Sequence, residues 1–81
     1  MSISYHVTVD RRGNQWRAVC PALKDHGATL GGETREEALT HIESAIFMIV
    51  SEMKSAGVSP PPDQQVIGGI LLTVEIDNVS G

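Results

Sequence analysis

Several features that would place this chain in a familiar class are missing from its sequence. There is a single cysteine, Cys20, so no disulfide can form within the chain, which is typical of the reducing cytosol. No apolar run reaches the roughly 18 residues of a membrane span, and residues 1–5 contain neither the basic nor the apolar segment of a secretory signal. These absences predict a cytoplasmic chain that neither crosses a membrane nor is secreted.

Basic residues are also scarce. Six lysines and arginines stand against ten aspartates and glutamates, a formal net charge of −4, and no basic tract occurs. Because unaided nucleic-acid binding draws its affinity from neutralising phosphates, this balance argues against direct nucleic-acid binding. An acidic protein is better suited to a basic partner.

What the chain does have is a globular composition, with 41% hydrophobic residues in a length of 81. That length predicts one domain, residues 1–81. A core of this size is marginal, and small domains commonly gain stability by association. We therefore expect an interaction module that forms a homodimer or a higher homo-oligomer.

Alternation of apolar and polar residues predicts the strands. Between Ile3 and Asp10 every second residue is apolar, which is the pattern of a strand with one buried face. A turn at residues 11–14 leads into a returning strand that Pro21 ends, and residues 21–26 are predicted to form a loop. The strands predicted in this way are residues 3–10, 15–20, 27–31 and 69–77.

One long helix is predicted after the third strand. Thr34 and Glu37 form a capping box, with Thr34 at the N-cap and the Glu37 carboxylate reaching back to the backbone N–H of the cap. Gly57 suits the position just past the helix end, and the three prolines that follow prevent continuation. The apolar residues recur at helical spacing: Ala38, Leu39, Ile42, Ala45, Ile46, Ile49, Val50 and Met53.

The element order is therefore β-β-β-α-β, an α+β fold. Three antiparallel strands are followed by a helix that returns the chain, so we expect the last strand to run parallel to the first. A right-handed crossover then gives a four-stranded mixed sheet of order 3-2-1-4, with one helix packed on one face.

The residues that carry this fold also resemble a known family. Tyr5 stands in the first strand and Trp16 and Ala18 in the second, which Pro21 and Leu23 follow. The segment Gly32–Ala38 opens the helix, and Gly57 precedes the prolines. This string resembles the HicB-like antitoxin family, whose pattern is a Tyr strand, a Trp-x-Ala strand ending in Pro-x-Leu, and a Gly-Asp-Thr-x-x-Glu-Ala helix start. The resemblance covers nearly the whole chain.

The resemblance implies a partial ribonuclease H-like fold and a role. HicB proteins bind and silence HicA toxins, which are small basic ribonucleases that degrade messenger RNA. Many also carry a C-terminal DNA-binding domain, for which residues 1–81 leave no room. The resemblance therefore implies a short, stand-alone form that does not bind DNA by itself.

Three other chemistries are weaker readings of the same residues. A nuclease-type metal site would need Asp10, Asp77 and Glu37 to converge, but strand parity directs the two aspartates away from the helix. The segment 27–34 has the glycines of a phosphate loop but carries Glu33 where a lysine belongs. The three histidines and Cys20 lack zinc-ligand spacing. We therefore expect no enzyme activity, no metal and no other cofactor.

The candidate contact residues lie off the apolar stripe of the helix. Phe47 and Met48 are large apolar residues on its polar side, which indicates a partner or self contact, and Trp16 is a further candidate anchor. For electrostatic steering of a basic partner the candidates are Asp10, Glu75 and Asp77.

Together these observations predict a non-enzymatic antitoxin-type module that binds and neutralises a small basic HicA-type toxin. The alternative is a solitary homo-oligomeric module of unknown ligand, without a toxin partner or catalysis.

Overall fold

The computed structural model describes residues 2–76. Residues 21–26, predicted to be a loop, form a short 3₁₀ helix that packs Leu23 into the core. The elements in chain order are β1 (Ser2–Arg12), β2 (Gln15–Val19), the 3₁₀ helix (Pro21–His26), β3 (Thr29–Gly32), α1 (Arg35–Ser55) and β4 (Ile70–Glu75).

The four strands form one sheet in the order β3-β2-β1-β4, with α1 on one face, and both features confirm the prediction. β1 is long because it serves two neighbours in turn. Its first half, residues 2–7, pairs with β4, and its second half, residues 8–12, pairs with β2. β1 is therefore the strand that joins the two ends of the sheet.

The predicted direction of β4 is wrong. β4 runs antiparallel to β1, with Ser2 opposite Glu75 and Val7 opposite Ile70, so the sheet is antiparallel throughout rather than mixed. The prediction assumed that the chain leaves the helix and enters the last strand directly. A turn at residues 67–68 instead reverses the chain just before β4, and Gly68 there has a positive φ of 77°.

The segment between α1 and β4, residues 58–69, acts as a strap along β1. The Tyr5 hydroxyl donates to the carbonyl of Pro61 at 2.6 Å, and the backbone N–H of His6 donates to the Asp63 carboxylate at 2.8 Å. The strap and β1 therefore run in the same direction, since Tyr5 contacts Pro61 and His6 contacts Asp63. The strap, and not β4, is the segment that runs parallel to β1. β4 then descends beside β1 in the opposite direction.

The helix ends as its sequence predicts. The Glu37 N–H donates to the Thr34 hydroxyl at 3.0 Å, while the Glu37 carboxylate accepts from the N–H of Glu33, one residue before the cap predicted to receive it. At the other end Gly57 adopts a φ of 74°. The N–H of Val58 donates to the carbonyl of Met53 and the N–H of Gly57 to that of Lys54, which together form a Schellman motif.

The core lies between α1 and the sheet. One face of β1 and one stripe of the helix are buried, as predicted, and Gly32 brings the end of β3 against the first turn of α1. A Cβ at Gly32 would lie 2.6 Å from the Ala38 nitrogen, so only glycine fits there. The buried residues are Tyr5, Val7, Ala18, Cys20, Leu23, Ala28, Ala38, Ile42, Ile46, Val50, Met53, Val74 and Ile76.

Candidate partner-binding groove

A groove of about 650 Å³ runs between α1 and the outer edge of β4. The helix supplies one wall and the edge strand supplies the other, because α1 crosses the sheet and its middle turns lie beside the end of β4. We call this surface the α1–β4 groove. It is lined by Glu43, Ser44, Phe47, Met48, Thr73, Val74 and Glu75.

The apolar content of the groove comes from two helix residues. Phe47 is 38% exposed and Met48 is 63% exposed, whereas their neighbours Ile46 and Val50 are fully buried. The core stripe of α1 is therefore complete without them. Large side chains that the core does not need, set together in one groove, are the pattern of a contact surface.

Three of the six predicted site residues meet in this groove. Phe47, Met48 and Glu75 all line it, although they are far apart in sequence. Trp16 lies elsewhere, partly buried against the core and beside a second groove near β3. Asp77 lies outside the described residues.

Asp10 is remote from Glu75. Because Glu75 lies opposite Ser2, the eight residue steps along β1 from Ser2 to Asp10 place the two residues roughly 27 Å apart. Asp10 is paired across the sheet with Arg17. The sheet thus carries its arginines beside Asp10 and has Glu75 at the other end of β1.

The charges that line the α1–β4 groove are all of one sign. Glu43 stands on the helix wall and Glu75 on the strand wall, and no lysine or arginine is among the lining residues. Two carboxylates on either side of two exposed apolar side chains favour an occupant that is both basic and apolar.

The backbone of β4 also contributes to the groove. The two-residue turn between Arg12 and Gln15 makes these residues a hydrogen-bonded pair, so the even-numbered residues of β1 face β2. His6 fits this alternation, because its N–H goes to Asp63 and not to β4. The odd-numbered residues of β1 therefore bond to β4, and Leu71 and Thr73 direct their N–H and C=O groups to the outer edge.

The pair formed by His6 and Asp63 was not anticipated. The His6 Nδ1 lies 2.5 Å from Asp63 Oδ2, and the two side chains are 22% and 26% exposed. Hydrogen bonds from the His6 backbone and ring hold the pKa of Asp63 below its usual 3.8. A carboxylate directly after three prolines gives no sequence signal for a partner 57 positions away, so only the strap's course reveals it.

Two buried groups near the strap are kept in their neutral forms. Burial raises the pKa of the Tyr5 hydroxyl, helped by the nearby Cys20 and Asp63, and burial likewise raises the pKa of the Cys20 thiol. Cys20 is fully buried. A thiol in that state is a poor nucleophile and serves as a small core residue.

Metal binding and membrane spanning were both considered in the sequence, and the structure bears on each. Among residues 2–76, no group of three or more His, Cys, Asp or Glu side chains is placed to hold a metal ion. Within the same part of the chain, no helix has the length and apolar content needed to cross a membrane.

The chain was compared with known proteins. No family model and no curated protein matches its sequence. Its structure is similar to the crystal structure of the N-terminal domain of the Burkholderia pseudomallei antitoxin HicB, with a TM-score of 0.63 and 20% sequence identity. The match covers 95% of this chain and 99% of that one, so the protein has a HicB-like fold, as its sequence motifs predicted.

Proposed function

We propose that this protein is an antitoxin-type interaction module that binds and silences a small basic toxin ribonuclease of the HicA type, without catalysis of its own. The observation that carries the proposal is the α1–β4 groove, an exposed apolar and acidic surface on a HicB-like fold. The groove unites Phe47, Met48 and Glu75, which the sequence had already marked as contact candidates.

The mechanism divides the work between charge and apolar contact. A ribonuclease must present a positive surface to RNA, so the net charge of −4 accelerates its encounter with this chain. Phe47 and Met48 then lengthen the life of the complex, because buried apolar anchors act mainly on the dissociation rate. Occupation of the positive surface excludes RNA.

The test is a tagged pull-down from the native cell, followed by reconstitution with the small basic protein that is recovered. That protein should cleave RNA alone and stop when this chain is added in equimolar amount. The double variant Phe47→Glu, Met48→Lys, which leaves the net charge unchanged, should weaken inhibition at least tenfold.

A matched control keeps this test specific. The pair Gln64→Lys, Ile67→Glu introduces the same two charges and removes an apolar residue that is fully exposed and does not line the α1–β4 groove. It should inhibit like the wild type. Equal inhibition by both double variants would show that Phe47 and Met48 do not contact the toxin. Recovery of no basic protein would contradict the existence of a toxin partner.

A second candidate function is a solitary homo-oligomeric module. It is favoured by the exposed apolar residues on both sides of β4, Phe47 and Met48 by the helix and Leu71 on the open face, which is 55% exposed. Sedimentation of the purified chain distinguishes the two: this candidate requires a defined oligomer that the Phe47→Glu, Met48→Lys variant dissociates and that binds no basic protein.

A further inference from the structure

We infer that the α1–β4 groove binds its basic partner by strand addition: an extended segment of alternating basic and apolar residues pairs with the outer edge of β4. This inference rests on the proposed function for its choice of a basic partner. It adds the mode of binding, in which backbone hydrogen bonds supply the register and the helix wall supplies the apolar contact.

The backbone of β4 is suited to pairing. Leu71 and Thr73 point their N–H and C=O groups outward, and within residues 2–76 β4 has β1 as its only neighbour in the sheet. Edge strands are usually guarded by charge, proline or a bulge. The sequence of β4, Ile-Leu-Leu-Thr-Val-Glu, has no proline and carries its single charge at the last position.

The surroundings of the strand identify the side chains of the partner. An incoming strand would lie beside Phe47 and Met48 on the helix side and beside Leu71 on the open face. Alternate residues of a strand point to opposite faces, so apolar side chains are needed at alternate positions. The residues between them point to the open face, where basic side chains would lie beside Glu75.

Charge decides between this partner and a second copy of the same chain. Antiparallel pairing of two β4 strands would gather two copies of Glu43 and two of Glu75 around one seam, and no lysine or arginine lines either groove. Because the two strands would run in opposite directions, the two Glu75 side chains would lie toward opposite ends of the seam, and such a pair gains no charge complementarity. A basic strand instead brings the opposite charge to this acidic groove.

The experiment uses a fluorescein-labelled octapeptide of alternating Lys and Val as the probe, with fluorescence anisotropy at low ionic strength as the readout. The informative variant is Thr73→Pro, which removes an outward N–H and leaves the bonds to β1 in place. Thr73→Ala is its matched control, since both variants lose the hydrogen bond between Ser4 and Thr73.

The expected result is binding of the Lys-Val peptide to the wild type and to Thr73→Ala within twofold, and at least tenfold weaker binding to Thr73→Pro. A Glu-Val peptide should not bind. A second test uses only the wild-type protein, so it does not depend on the folding of a variant. The Lys-Val peptide with every backbone amide N-methylated should bind the wild type at least tenfold more weakly than the unmethylated peptide.

Three results would overturn the inference. One is equal binding to both Thr73 variants; another is equal binding of the methylated peptide. The third is a wild-type dimer that becomes monomeric in Thr73→Pro and binds no peptide, which would make a second copy the occupant. If a toxin is inhibited equally by Thr73→Pro and Thr73→Ala, strand addition fails while the proposed function stands. If the peptide binds as expected but no toxin is recovered, strand addition stands while the proposed function fails.

Discussion

The two edges of the sheet are built in opposite ways. At the β3 edge, the outward residues are Thr29 and Gly31, and each has one outward backbone group already bonded. The Thr29 N–H donates to the Gly27 carbonyl, and the Gly31 carbonyl accepts from the His41 ring at 2.7 Å. At the β4 edge, Thr73 lines the α1–β4 groove and Leu71 is 55% exposed on the open face.

The elements beside each edge account for this difference. β3 has four residues, two of them glycines, and Gly32 lets the first turn of α1 close over its end. β4 has six residues and meets the middle of α1, where Phe47 and Met48 stand off from the core. Short, glycine-rich and covered strands resist further pairing, while longer apolar strands invite it. The helix therefore covers part of the β3 edge, whereas β4 is the edge at which we propose that a partner strand is added.

The largest expected loss of stability comes from disturbing the β3 edge. Gly32→Ala places a Cβ 2.6 Å from the Ala38 nitrogen, and overpacking of this kind costs about 2 kcal/mol, or roughly 10 °C in Tm for a domain of this size. Thermal unfolding followed by circular dichroism checks it. Gly31→Ala is the control, because its Cβ would make only an ordinary contact at 3.5 Å; an equal loss in both variants would contradict the close packing at Gly32.

A smaller effect is expected from weakening the contact between the strap and β1, since the strap leads directly into β4. Asp63→Asn removes a carboxylate held by the His6 N–H and ring, and since the pair is partly exposed we expect a loss of about 1 kcal/mol at pH 7. Urea denaturation measures it. Peptide binding at β4 should weaken in parallel, because the strap sets the position where β4 begins.

The same aspartate predicts a pH dependence. Its pKa is lower in the folded protein than the usual 3.8, so its stabilisation is present in full above about pH 5 and is lost as the pH falls through the folded-state pKa. The free energy of unfolding of the wild type should therefore fall more steeply below pH 4 than that of Asp63→Asn. Parallel curves for the two proteins would contradict the assignment.

The smallest effect concerns the guard on β3. A carbonyl can only accept, so His41 Nδ1 is the donor to Gly31, and His41→Phe loses this bond at a cost of about 1 kcal/mol or less. Chemical denaturation checks it. Binding of the Lys-Val peptide should not change, because β4 and not β3 receives it.

Local signals in the sequence were enough for the elements and their order. The alternation of β1, the Thr34 cap and the Gly57 end of α1 are properties of neighbouring residues. The sheet order 3-2-1-4 was predicted correctly, although the right-handed parallel crossover used to derive it does not occur, because β4 runs antiparallel to β1. The direction of β4 was missed because it depends on the strap, whose contacts with Tyr5 and His6 join residues 56 and 57 positions apart.

The candidate site divides in the same way. Phe47 and Met48 were predicted because the helical period alone identifies apolar residues that lie off the buried stripe. Glu75 was predicted because it is a charged residue near the end of a predicted strand. That these three share a groove required the antiparallel course of β4. The same course separates Asp10 from Glu75, and the role of Asp10 in steering stays a prediction.

Amide hydrogen exchange, measured residue by residue with and without the Lys-Val peptide, tests strand addition at β4 directly. The account predicts that the peptide slows exchange at Leu71 and Thr73, while Leu72 and Val74, bonded to β1, and Thr29 and Gly31 of β3 stay unchanged. Slowing at β3, or at neither edge while the peptide is bound, would contradict the claim that β4 is the edge at which this protein binds.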